Sequence, residues 1–193
     1  MKSDVITVSS RGSRMGEALA QAEKVAVYKG CGAKETMHLR LLTEEMMGMM
    51  RSITGQAEGE FWIENEEGRF EIHLRVNTDV DEKAREELLA VSTTGVNEAA
   101  KGFMGKIRAF FEPTAGVPAF RAVPMAGTSP QAYGSMAWSM EDYREQLDKY
   151  EDRQASREAW DELEKSVVAR LADDVKIYIR GRTVEMTIVK KAE

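Results

Sequence analysis

Residues 37–53 read MHLRLLTEEMMGMMRSI, and the reading of this stretch decides the fold. Leu39, Leu42, Met46, Met49 and Ile53 recur three and four residues apart, so a helix gathers them into one apolar stripe. At about 100° per residue, Leu41, Glu44 and Gly48 fall on the far side, with Glu45 on its border. The helix is apolar over most of its circumference, which suits burial against a sheet. Its two adjacent glutamates are the anomaly, because ionised carboxylates are rarely buried without a partner. Two readings stand open: they reach the solvent edge of a core helix, or they face a ligand.

Before this helix, Val5–Val8 reads as a short strand. Ser13–Lys29 reads as a helix with Met15, Leu19, Ala22 and Val25 or Ala26 on one face, ended by Gly30 and Gly32. After it, Glu60–Glu64 and Arg69–Val76 read as strands joined by the turn Asn65-Glu66-Glu67-Gly68. In the second strand Phe70, Ile72, Leu74 and Val76 alternate with Arg69, Glu71, His73 and Arg75. That predicts one covered and one wet face, with His73 a solvated residue on the wet one.

Asp79 and Glu82 make a capping box for a helix through Ser92. Val96–Phe111 has helical spacing despite Gly102 and Gly105, each costing roughly 1 kcal/mol relative to alanine, so close helix packing is expected there. GFMGK in this stretch lacks the spacing of a phosphate loop. All four prolines lie in a Pro/Gly/Met-rich, lid-like loop at about 113–138. Ser139 caps a helix with Met140, Tyr143, Leu147 and Tyr150 on its face. Ser156 starts another with Trp160, Leu163, Val167 and Leu171. A closing hairpin follows: Val175–Ile179, a turn at Arg180-Gly181-Arg182, then Thr183–Val189. Strands in hairpins with helices grouped between them predict an α+β fold, a two-layer sandwich in which helices cover one face of a mixed or antiparallel sheet. The 193 residues suit a single domain, residues 1–193.

A net charge of −6 gives no basic patch for nucleic acid, and no 18-residue apolar run could insert in a membrane. The opening residues lack a secretory leader, and the single Cys31 supports no disulfide framework, so a cytoplasmic location is expected. With one cysteine and two histidines, His38 and His73, no metal ligand set is expected. Twelve methionines suit an adaptable core.

Three stretches carry a resemblance. LRLLTEEMMGMMRSI (39–53) is similar to the helix bearing the Glu-x-x-x-Asn box of the histidine-kinase-like (GHKL) ATPase superfamily. The hairpin 61–76 follows where that family expects it. EKSVVARLADDVKIYIRGRTVEMTIVKK (164–191) is similar to its last helix and closing hairpin. Within that superfamily the chain resembles the small anti-sigma-factor-type serine kinases. The resemblance implies a histidine-kinase-like ATPase fold with Glu44 and Glu45 at the catalytic position, and with Asp79 and Gly48 against the nucleotide.

Departures from the family pattern fall on the nucleotide chemistry. Four residues after Glu44 stands Gly48, and four after Glu45 stands Met49, where the family's asparagine holds Mg²⁺ through oxygen. Asp79 matches the adenine-reading aspartate of an Asp-x-Gly-x-Gly motif, but Asp81 occupies the glycine position. Arg157-Glu158-Ala159-Trp160-Asp161 stands where a glycine-rich phosphate motif belongs. The expectation is thus a non-catalytic regulatory or protein-interaction module with a decayed ATP site and no cofactor. Its partner would be a sigma factor or an anti-sigma antagonist, and homodimerisation is open. The alternative is an ATP-binding, serine-protein-kinase-like enzyme using Mg-ATP.

Overall fold

A computed structural model describes residues 1–54, 57–77, 135–149, 157, 160–161, 163–180 and 182–192. The expected helices at 79–92 and 96–111, most of the lid-like loop, Asp79 and Asp81 lie outside them. In order, the elements are β1 (Ile6–Ser9), α1 (Met15–Tyr28), α2 (Ala33–Thr54), β2 (Glu58–Glu66) and β3 (Arg69–Asn77). There follow β4 (Ser135–Ser139), α3 (Met140–Lys149), α4 (Val167–Leu171), β5 (Asp174–Arg180) and β6 (Thr183–Lys191). The strands form one antiparallel sheet of order β1-β2-β3-β6-β5-β4. The architecture is α+β as expected, with the sheet wholly antiparallel.

The core lies between this sheet and α1 and α2. Antiparallel register sets Phe61 opposite Leu74 and Ile63 opposite Ile72; Leu74 then faces Met186 and Ile72 faces Ile188 on β6. Paired residues share a face, so a continuous apolar layer crosses the central strands. Leu39, Leu42, Met46 and Met49 are buried against it, as the stripe predicts, and Thr43, Met47 and Met50 are buried as well. The buried arc of α2 is wider than a single stripe because the helix packs on α1 and α4 as well as on the sheet. Thr43 enters this apolar environment by donating its hydroxyl to the Leu39 carbonyl at 2.8 Å, which removes the cost of an unsatisfied polar group.

Three sequence expectations need correction. The β2–β3 turn is two residues long, Glu67-Gly68, because both adopt positive φ (48° and 81°), the type I′ geometry whose twist matches the flanking strands. Asn65 and Glu66 therefore remain in the ladder, opposite Phe70 and Arg69. The end of the expected lid-like loop is strand β4, which pairs along β5 from Ser135–Arg180 to Ser139–Lys176. The helical phase is also reset at Ser166, whose backbone is extended and whose hydroxyl accepts the Ala169 N–H at 3.3 Å. Val167 consequently faces solvent, and Val168 takes its place in the core. Ser139 does cap its helix as expected, accepting the Asp142 N–H at 3.0 Å.

Gly59 marks a close approach inside the sheet. A Cβ there would stand 2.9 Å from both the Arg75 carbonyl oxygen and Val76 Cγ2. Gly59→Ala should therefore destabilise the fold although it removes nothing. Leu42→Ala and Met46→Ala should each cost about 2–5 kcal/mol as cavities in a close-packed core. Chemical denaturation measures all three, and losses under about 0.5 kcal/mol at both core positions would place the core on another face of α2.

Candidate functional site

Glu44, Glu45 and Gly48, the positions singled out by the family resemblance, lie together on α2 at the edge of its buried arc. Glu44 is exposed and Glu45 half-buried. Burial pushes the Glu45 carboxyl above its usual range, and the neighbouring Glu44 charge adds to the effect. Gly48 is exposed, and a Cβ built on it would meet nothing within 4 Å, so packing does not demand glycine there. Met49 is 4% exposed and belongs to the core. Arg40 forms a half-exposed ion pair with Glu23 of α1.

The opposite face of the sheet holds a second cluster, which sequence reading missed. Trp62, His73 and Thr187 stand side by side across β2, β3 and β6. They are 5%, 8% and 6% exposed, so His73 is buried and not the solvated residue expected. Alternation correctly put His73 on the face away from the helices. It could not show that an indole would lie beside the ring: Trp62 and His73 stack with centroids 4.8 Å apart and planes 6° from parallel. The Lys2 ammonium and the Arg75 guanidinium stand over the indole, 4.7 and 5.2 Å from its ring centre, as cation–π partners.

Polar contacts define the cluster further. His73 Nδ1 lies 3.1 Å from Thr187 Oγ1, while Nε2 is buried without a hydrogen-bond partner among the described residues. Burial holds the His73 imidazole below its usual range, against the opposing pull of Glu64 and Glu71, so the ring is neutral at pH 7. One row along, Glu64 of β2 is paired with Glu71 of β3. Glu64 accepts from Trp62 Nε1 at 2.9 Å and from Lys2 at 3.0 Å, and these contacts, Lys2 foremost, keep its carboxyl below the usual range. Glu71 reaches Arg69 at 2.8 Å and His73 Nε2 at 3.5 Å. Among the described residues, Glu64, Glu71 and His73 are the one set of three metal-ligating side chains that converges. The signal available in the sequence was the turn: a two-residue loop at 67–68 places Trp62 opposite His73, whereas a four-residue loop places it opposite Glu71.

Comparison with protein-family models, with curated proteins and with solved structures returns no match for this chain.

The raised carboxyl of Glu45 makes a prediction of definite sign. A folded-state pKa above the unfolded value means that the protonated form is favoured on folding. The contribution is fully present below about pH 4.3 and is lost as pH rises through the folded pKa. At pH 7 the ionised side chain is therefore a net cost, and Glu45→Gln should raise the melting temperature. The gain should vanish near pH 4, where wild type is itself protonated. A variant less stable than wild type at pH 7 would mean that the carboxylate has a partner holding it ionised.

Proposed function

We propose that the chain is a regulatory, protein-interaction module on a histidine-kinase-like ATPase fold, with a nucleotide site that has lost Mg-ATP binding. The proposed partner is a sigma factor or an anti-sigma antagonist, the class implied by the resemblance. Support for the fold comes from the element order: α2 runs directly into the β2–β3 hairpin, and α4 directly into β5–β6. The observation that carries the loss of activity is the fate of the two positions one turn after the glutamates. Gly48 has no side chain and Met49 is buried in the core, so neither side chain presents the oxygen a hard cation requires. Support for an interaction role comes from large apolar side chains left in water on either side of the α1–α2 turn, Val27, Tyr28 and Met37.

The second reading, an ATP-dependent serine-protein-kinase-like enzyme, rests on Glu44, which is exposed on α2 next to Glu45 as a catalytic carboxylate would need to be.

Thermal melting with and without Mg-ATP separates the two. A ligand bound only by the folded state stabilises it by about 2.7 kcal/mol at a hundredfold excess over its dissociation constant. In a chain of this length that is a rise of roughly 5–10 °C. No rise is expected. A rise of that size, lost in Asp79→Ala, would replace the interaction module with the enzyme.

A further inference from the structure

We infer that Glu64, Glu71 and His73 form a binding site for a divalent transition-metal ion, zinc(II) fitting best, on the sheet face opposite α2. The argument begins with the imidazole. A buried ring nitrogen with no partner is a cost that folded proteins rarely leave standing. His73 Nε2 is such an atom, and it lies within the cluster of carboxylates. Thr187 Oγ1 at 3.1 Å can accept a proton carried on Nδ1, and in that tautomer Nε2 presents its lone pair. The stacked indole of Trp62 fixes the plane of the ring. Backing of one histidine nitrogen by an oxygen acceptor, with the other nitrogen turned to the ion, is the usual second-shell arrangement of a histidine ligand.

Distances agree. Ligand atoms around a tetrahedral zinc ion with bonds of roughly 2.0–2.1 Å stand about 3.4 Å from one another. Glu71 Oε2 and His73 Nε2 are 3.5 Å apart, already an edge of such a tetrahedron. The ligand atoms of all three residues lie within 4.8 Å of one another, and the Glu64 side chain is 41% exposed, so a small rotation brings it in. Its Oε1 receives both Trp62 and Lys2, which leaves the second oxygen to ligate.

The ordinary reading is that Lys2 and Arg69 are the natural partners of these carboxylates. Both cations are about half-exposed, and exposed ion pairs contribute little, so a doubly charged ion displaces them readily. The donor set selects the ion. One imidazole with two carboxylates and no thiolate suits zinc, manganese, cobalt or nickel; magnesium and calcium favour all-oxygen shells. Two carboxylates neutralise the ion, and a fourth position remains for water or a ligand. Counting histidines and cysteines along the chain could not reveal this set, because carboxylates supply two of its three ligands.

The test uses the full chain, stripped with a chelator and titrated with Zn²⁺. The melting temperature should rise by roughly 5–10 °C at a hundredfold excess over the dissociation constant. His73→Gln and Glu71→Gln should each abolish the rise, while His38→Gln keeps it. Co²⁺ in place of Zn²⁺ should give the intense visible absorption of a four-coordinate ion. Because the Glu71 side chain is only partly buried, at 30% exposed, and Glu71→Gln preserves its shape, that variant decides the matter if His73→Gln does not fold. A rise that persists in Glu71→Gln, the absence of any rise in wild type, or the pale spectrum of hydrated Co²⁺ would overturn the assignment. The site stands on the far side of the sheet from α2, so its outcome is independent of the Mg-ATP test.

Discussion

The two-residue turn at Glu67-Gly68 sets the register of β2 on β3, and the remainder of the sheet is referred to that register. Glycine takes positive φ without strain, but Glu67 at φ 48° costs roughly 1 kcal/mol that the surrounding ladder must offset. The result is nearly full pairing: Gly59 to Glu66 on one strand against Val76 to Arg69 on the other. With this register, Phe61, Ile63, Ile72 and Leu74 form one surface under α2, and Gly59 lets β3 approach where any side chain would collide. A turn two residues longer would leave the same side chains on the same faces but would part Trp62 from His73.

The two faces of the sheet are held by different physics. The inner face excludes water with aliphatic and methionine side chains drawn from α1, α2 and α4, and methionine adapts its shape to three neighbours at once. Among the described residues, the outer face excludes water with the Trp62–His73 stack roofed by charged side chains. Hydrophobic burial in the first carries no charge for a moderate ionic strength to screen. The second depends on charges, and salt weakens their contribution wherever they are exposed.

Periodicity made the helices legible. Both α1 and α2 were readable because each carries an unbroken apolar stripe, and Ser139 was readable as a cap because the hydroxyl-bearing residue precedes an acidic first turn. The reading failed wherever local chemistry reset a period. Ser166 takes an extended backbone in mid-pattern and moves the buried position from Val167 to Val168. Strand β4 was hidden in a stretch rich in proline and glycine, since its strand character comes from pairing with β5 more than from its own residues. Of the candidate site, the placement of Glu44, Glu45 and Gly48 on one helix edge was legible. The convergence of Glu64, Glu71 and His73 was not, because it depends on cross-strand register and on the neighbouring Trp62 and Thr187.

The strand order has a consequence for how the chain is made. β3 and β6 lie at the centre of the sheet, and the His73–Thr187 contact within that pair joins residues 114 apart. Emerging from a ribosome, the β1-β2-β3 meander and its two helices are complete long before β6 exists. During that interval β3 presents an open edge of unpaired amides where β6 will later pair. Closing so long a loop is slow relative to local pairing. The edge of β3 therefore stays open until β6 seats against it.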